Sequence, residues 1–243
     1  MYSNRYIIVF TFVMTAVVAL VLALLFSGLK GVHDFNEAIY NKKEILLSIN
    51  PKADKFTSAE IDKIFRDSVE QLVLDANGEI IPDTSLLAEK IDMAKEKKKP
   101  EAERRYPLYI YTQKDGSKVY ITSMRGNGLW DEIWGAIAIE QDFRTVAGVS
   151  FGHKGETPGL GAEIKDNKGW VAKFATGEKK IISDDGSAYL QVRKGGARDE
   201  IMEVDGISGA TVTCDGVTKM IKSGIQPYLT YFSTLENKQT GMR

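Results

Sequence analysis

Residues that bind metals or form disulfides are scarce in this sequence. Its 243 residues include one cysteine, Cys214, and two histidines, His33 and His153. A disulfide within the chain is therefore impossible, and neither a Cys/His zinc site nor a self-contained iron–sulfur cluster is expected. If the chain takes part in redox chemistry, an organic cofactor has to carry the electrons.

The sequence also lacks an excess of positive charge. Its 32 lysines and arginines nearly balance 33 aspartates and glutamates, which leaves a formal net charge of −1. Such a balance provides no general electrostatic attraction for phosphate backbones, so no nucleic-acid partner is expected.

Charged residues are absent from the stretch between Ile7 and Leu29. An apolar helix of about 20 residues crosses a bilayer core. A cleavable signal peptide is the alternative, but its apolar region is shorter and ends at an Ala-x-Ala-like site, which is not evident here. We therefore predict a permanent transmembrane helix in contact with membrane lipid. Arg5 lies before it and Lys30 after it, so flanking charge does not decide the orientation.

The sequence predicts three regions: an N-terminal anchor over residues 1–30, a polar helical segment over 31–105 and a larger domain over 106–243. In the second region, Thr57 and Glu60 have the spacing of a helix-capping box. The apolar face of the helix that follows is expected to contain Ile61, Ile64, Phe65, Val69 and Leu72. The charge run over 95–105 reads as a solvated connector, with contact to anionic lipid as the weaker alternative.

After Pro107 the apolar pattern changes from helical to alternating. Residues 108–112 and 117–122 flank Lys114-Asp115-Gly116, which is typical of a β-hairpin. The apolar run from Trp130 to Ile139 and the stretch over 145–151 are expected to continue the sheet. We predict an α+β fold: a mostly antiparallel sheet with flanking helices, preceded by one N-terminal transmembrane helix.

Two glycine-rich stretches are candidates for a functional site. The first, Asp205-Gly-Ile-Ser-Gly-Ala-Thr211, reads as a turn that leads into a helix with an apolar face. Unpaired N–H groups and the positive dipole end make a helix N-terminus favourable for an anion or phosphate. Local physics alone also allows an ordinary turn with a helix cap.

The second stretch is the loop Gly155-Glu-Thr-Pro-Gly-Leu-Gly161, which lies between two expected strands. A carboxylate, a hydroxyl and backbone amides in one shaped loop suit recognition of a polar heteroaromatic ligand. Neither a Walker A loop nor a Rossmann fingerprint is present, because Ile164 stands where the third glycine would be needed.

Together these two stretches resemble the covalent FMN-binding domain family. This domain occurs in the C subunit of the sodium-translocating NADH:quinone reductase and in the G subunit of the related Rnf complex. In that family a flavin transferase joins FMN to a threonine through a phosphoester bond, and the matching threonine here is Thr211. By the same resemblance, Glu156, Thr157, Leu160 and Lys194 lie near the flavin. The residues that precede the acceptor, which supply clearance and phosphate binding, are Ser208, Gly209 and Ala210.

The long segment before the strands and the pattern Gly128-Leu129-Trp130 resemble the sodium-pump protein more closely than the Rnf protein. The resemblance implies an electron-transfer subunit that relays electrons between cofactors of partner subunits toward ubiquinone, in a complex that exports sodium. It also implies a single-pass protein of the cytoplasmic membrane with its flavin domain on the outer side. A flavin-free membrane scaffold and a stand-alone flavoprotein reductase remain alternatives.

Overall fold

In the computed structural model, residues 3–83, 85–187 and 189–240 are described. The chain forms two compact units, of which the first ends at Tyr40 and the second begins at Asn41. The predicted division of the chain into an anchor (1–30), a polar helical segment (31–105) and a larger domain (106–243) stays a prediction.

The first unit is formed by most of helix α1 (Asn4–Leu47). Among the described residues, α1 is the one helix long and apolar enough to cross a membrane. Large apolar side chains are exposed all around its N-terminal part, from Tyr6 to Phe35. An exposed surface of this kind is stable in lipid and unfavourable in water.

The second unit contains a five-stranded antiparallel sheet whose strands follow chain order. Its strands are β1 (Val69–Leu74), β2 (Tyr106–Thr112), β3 (Lys118–Asn127), β4 (Glu132–Ile139) and β5 (Val146–His153). A parallel pair, β6 (Gln191–Arg193) and β7 (Glu203–Asp205), lies outside this sheet. The predicted α+β fold with mostly antiparallel strands is confirmed.

Helices surround the sheet. In chain order they are α2 (Ser58–Ser68), α3 (Met93–Glu96), α4 (Glu163–Asp166), α5 (Lys168–Ala172), α6 (Thr211–Ile225) and α7 (Leu229–Thr240). The predicted capping box at the start of α2 is present, with Thr57 and Glu60 bonded reciprocally.

Two sequence-based expectations for secondary structure are wrong. Val69 and Leu72 do not extend the apolar face of α2, because the chain becomes extended at Val69 and pairs with β2. Pairing along a whole neighbouring strand outweighs a marginal helical period. Trp130 is not part of a strand either, since β4 begins at Glu132 and Trp130 lies in the preceding loop.

Helix α6 packs directly on β3, and small residues make this close approach possible. A Cβ atom on Gly216 would overlap the carbonyl oxygen of Asn127, and one on Gly126 would lie 2.8 Å from the Cβ of Met220. The apolar side of α6, including Val217 and Met220, is buried against the sheet. The first turn of α6 is thereby held beside the end of β3.

We expect Gly216→Ala to destabilise the second unit. Alanine is intrinsically better than glycine in a helix by about 1 kcal/mol. However, its Cβ would meet a backbone carbonyl that cannot rotate away, and overpacking of this kind costs about 1–3 kcal/mol. Urea unfolding of the detergent-solubilised chain, followed by tryptophan fluorescence, should therefore show a lower midpoint.

The matched control is Gly224→Ala on the same helix, where the new Cβ would lie 2.6 Å from Cγ of the flexible Met124 side chain. Met124 is buried, and its Cβ also lies 3.0 Å from the new Cβ, so part of the overlap stays. We still expect a smaller loss, because a side chain adjusts more readily than the backbone of a paired strand. Equal midpoints for the parent and both variants would contradict the proposed close contact.

Candidate functional site

The motif from Asp205 to Thr211 connects β7 to α6. Gly209 adopts a positive φ of 78°, and a Cβ there would lie 2.6 Å from Cδ2 of Leu160. Glycine is therefore required for both the turn and the contact. Through this contact, the loop over 155–161 lies against the turn that precedes Thr211.

Thr211 is the first residue of α6, and Ala210 immediately precedes the helix. No side chain among the described residues caps this N-terminus. The serine and threonines of the motif, which resemble capping residues in the sequence, do not have that role. The first backbone N–H groups and the positive dipole end of this 15-residue helix are therefore available to bind an anion.

A cleft of about 460 Å³ lies at this helix start. Lys194, Ser208, Gly209 and Thr211, all predicted from sequence as site residues, line it together. Asp205 and Asp215 line the cleft as well, and Asp205 is paired with the Lys173 ammonium. Lys194 and the helix dipole supply the positive charge that an anion needs. Ala210 is buried, which places it behind the turn.

Thr213, two residues after Thr211, has a different environment. Only 1% of Thr213 is exposed, and its hydroxyl donates a hydrogen bond of 2.5 Å to Oε2 of Glu156. Its oxygen is therefore inaccessible to a modifying enzyme, whereas Thr211 lines the open cleft.

Glu156 is buried beneath the site. Its Oε1 accepts a hydrogen bond of 3.0 Å from the backbone N–H of Trp130. Its Oε2 accepts the hydrogen bond from the side-chain hydroxyl of Thr213. The backbone N–H of Glu156 donates to Nδ1 of His153 at 3.3 Å. The carboxylate thus connects the loop before β4 to the first turn of α6.

Thr157 and Leu160 lie at the surface of the same loop. The Thr157 hydroxyl accepts a hydrogen bond of 3.1 Å from the indole N–H of Trp130. Trp130 is 70% exposed, and the side chains of Leu129 and Leu160 are also largely exposed. Exposed apolar side chains of this kind are suited to contact with a flat aromatic ligand.

The exposed Leu129 and Trp130 are not identified as site residues by the sequence. The apolar run that begins at Trp130 favours a strand, so the sequence does not indicate that Trp130 and the preceding Leu129 lie in a loop. The signal that could have revealed them is Gly128, because a glycine between β3 and an aromatic residue indicates a turn.

The turn that contains Lys194 is held by two carboxylates. Asp205 accepts hydrogen bonds from the Ala197 N–H at 2.7 Å and from the Lys173 ammonium at 2.7 Å. Glu203 is buried and accepts from the Arg198 N–H at 2.7 Å and from the Arg193 guanidinium at 2.5 Å. These bonds fix the position of Lys194 relative to β7 and hence to Thr211.

Cys214 lies in the wall of the same cleft. Burial, above all, raises the pKa of the Cys214 thiol. Its sulfur accepts a hydrogen bond of 3.4 Å from the Ile207 N–H. Both the burial and the raised pKa favour the neutral thiol.

Comparisons with known proteins identify the class of this domain. A family model described as "FMN-binding domain" matches residues 128–226. That range includes the Trp130 loop, the loop over 155–161 and the turn before Thr211. This part of the chain, which contains the candidate site, is thus similar to FMN-binding domains.

Full-length relatives narrow the identification. The C subunit of the Na(+)-translocating NADH-quinone reductase of Neisseria meningitidis serogroup A is 34% identical over 222 residues, which cover 83% of this chain and 84% of that protein. The crystal structure of the same subunit from Parabacteroides distasonis has a TM-score of 0.73 and 32% identity, covering 84% of this chain and 96% of that one. NqrC of Shewanella oneidensis has a TM-score of 0.67 at 26% identity, over 82% of this chain and 99% of that one.

The chain belongs to the NqrC family, the C subunits of the Na(+)-translocating NADH-quinone reductase. The resemblance inferred from the two glycine-rich stretches is confirmed. The roles of Thr211, Glu156, Thr157, Leu160, Lys194, Ser208, Gly209 and Ala210 toward FMN stay predictions.

The Glu203 carboxylate gives a pH-dependent prediction. The pKa of Glu203 is lowered below its ordinary 4.5 by three hydrogen-bond donors. The Arg198 N–H has the largest effect, followed by the Arg193 guanidinium and the Asp199 N–H. A carboxyl group with a lowered folded-state pKa stabilises the fold above its unfolded pKa, and this stabilisation is lost as the pH falls through the folded value.

We therefore expect Glu203→Gln to lower the free energy of unfolding by about 2 kcal/mol at neutral pH. The difference from the parent should shrink as the pH falls below 4.5, since the parent loses this contribution on protonation and the variant never has it. Urea unfolding across this pH range measures both curves. A difference that does not change with pH would contradict the role assigned to the ionised group.

Proposed function

We propose that this chain is the flavin-carrying electron-transfer subunit of a Na⁺-translocating NADH:quinone reductase, with FMN attached through a phosphoester bond to the Thr211 hydroxyl. The observation that carries the proposal is the contrast between two threonines. Thr211 lies in the open cleft at an uncapped helix N-terminus, while Thr213 is buried and hydrogen-bonded.

The residues around Thr211 suit the two ends of FMN. The N-terminus of α6 and the Lys194 ammonium would bind the phosphate. Gly209 leaves clearance for it, and Ser208 can donate a hydrogen bond from the cleft wall. Leu160, Thr157 and the exposed Trp130 ring would contact the isoalloxazine. FMN bound there supplies the electron-carrying group, and these side chains fix its position.

A covalent bond suits an electron carrier within a membrane complex. The tether removes the cost of rebinding the cofactor and keeps it at one place relative to its donors and acceptors. The proposal requires a flavin transferase for maturation and partner subunits that carry the NADH site, the quinone site and the ion pathway. No aspartate, glutamate, lysine or arginine lies between Ile7 and Leu29 to bind an ion within the membrane.

This assignment is favoured over the G subunit of an Rnf complex, because the relatives described above are named as the reductase protein and align with most of this chain. The flavin-free scaffold predicts a colourless protein, and the stand-alone reductase predicts NADH oxidation without partner subunits.

We expect Thr211→Ala to abolish covalent flavin. The full chain is co-expressed with a flavin transferase, denatured and separated by electrophoresis, and the fluorescence of the protein band is measured. Thr213→Ala is the matched control and should keep the fluorescence, since its hydroxyl is not accessible. Fluorescence lost in Thr213→Ala and kept in Thr211→Ala would overturn the assignment of the acceptor.

We also propose that α1 anchors the chain in the cytoplasmic membrane with the flavin domain on the outer side. Alkaline phosphatase fused after the C-terminus should then be active, because this enzyme acquires its disulfides outside the cytoplasm. Green fluorescent protein at the same position should be dark if exported unfolded. The opposite pattern would place the domain in the cytoplasm.

A further inference from the structure

The carboxylate of Glu156 is buried next to the first turn of α6, where its two oxygens bond two different segments of the chain. Both oxygens accept hydrogen bonds from uncharged donors, the Trp130 N–H at 3.0 Å and the Thr213 hydroxyl at 2.5 Å. Glu156 is 5% exposed. Burying a carboxylate is costly, and the hydrogen bonds that compensate for this cost also join the segments that supply the donors.

Two glycines make room for this carboxylate. A Cβ on Gly128 would lie 2.5 Å from Oε1, and a Cβ on Gly161 would overlap Oε2. Gly128 belongs to the Trp130 loop and Gly161 to the loop of Glu156 itself. The space is therefore shaped around the hydrogen-bonded carboxylate, and little of it is left for a direct contact with a ligand.

Trp130 is held by its polar groups instead of by burial. Its backbone N–H donates to Glu156 and its indole N–H donates to Thr157, the next residue along. The ring itself is 70% exposed. An exposed ring fixed at two N–H groups is a rigid surface for a flat ligand, with little entropy lost on binding.

We propose that Glu156 is a positioning residue that ties the first turn of α6 to the Trp130 loop. Through Thr213 it fixes the start of α6, where Thr211 lies, and through the Trp130 N–H it fixes the loop that carries the exposed ring. This inference rests on the proposed attachment of FMN to Thr211. It replaces the sequence-based expectation of a direct Glu156–flavin contact with an action through Trp130 and Thr213.

The inference predicts that Thr213 and Glu156 act as one unit. Thr213→Val keeps the size of the side chain and removes the donor, which leaves the carboxylate underbonded. Thr213→Ser keeps the hydroxyl and is the matched control. Glu156→Gln can still accept from Trp130 and donate its amide to Thr213, so it tests geometry without the charge, while Glu156→Ala removes both bonds.

The first measurement uses the flavinylated full chain in detergent. Covalent flavin per chain is determined after denaturation, and the circular dichroism of the flavin bands reports how rigidly the ring is held. We expect Thr213→Val and Glu156→Ala to keep covalent flavin within about twofold and to lose most of the flavin dichroism. Thr213→Ser and Glu156→Gln should retain the dichroism.

The second measurement needs no flavin. The full chain is expressed without the transferase and labelled with ¹⁵N-tryptophan, which gives signals from only three residues. The Trp130 signals are assigned with Trp130→Phe. We expect the backbone amide of Trp130 to exchange about tenfold faster in Thr213→Val, as loss of one well-formed hydrogen bond implies. Thr213→Ala serves the same purpose if the valine variant does not fold.

The outcomes separate the two proposals. A parent chain without covalent flavin sinks the proposed function, while the exchange measurement still tests the link between Glu156, Thr213 and Trp130. Suppose that Thr213→Val has the dichroism and the amide exchange of the parent, while both Glu156 variants lose the dichroism. That result would overturn the inference, because Glu156 would then act on the flavin directly. Unchanged behaviour in every variant would reduce Glu156 to packing.

Discussion

The close contact between α6 and β3 is the constraint on which the site depends. Gly216 faces the backbone of Asn127 with no room for a side chain, so the helix lies directly on the strand. Packed helices and stacked sheets normally lie about 8–10 Å apart, because side chains fill the space between them. Here glycines at the contact leave no such space. Gly128, which follows β3, lines the same pocket as Val212 in the first turn of α6.

Three segments that are distant in sequence meet at that helix start. The loop after β3 contributes Trp130, the loop after β5 contributes Glu156 and Leu160, and the turn after β7 contributes Gly209. All three segments are loops or turns, so helix or strand hydrogen bonds do not fix their positions. They are held by hydrogen bonds and side-chain contacts to one another, which is why glycine recurs wherever two of them approach.

The sequence predicts the parts of this arrangement that depend on neighbours in the chain. The hairpin of β2 and β3, the capping box at Thr57 and the helix that begins at Thr211 all follow from local spacing. The bond between Glu156 and Thr213 joins residues 57 positions apart, so no local pattern indicates it. For the same reason the helical prediction for Val69 is wrong: its strand exists because β2 is available to pair with it. The identity of the acceptor rests on a family resemblance.

Helix geometry explains why two nearby threonines have opposite environments. With 3.6 residues per turn, side chains two positions apart point about 200° away from each other. The bond from Thr213 to the buried Glu156 fixes one hydroxyl toward the protein interior. Thr211 must then face the opposite way, into the cleft. The same carboxylate that accepts from the Trp130 N–H therefore also holds the Thr213 hydroxyl away from the cleft.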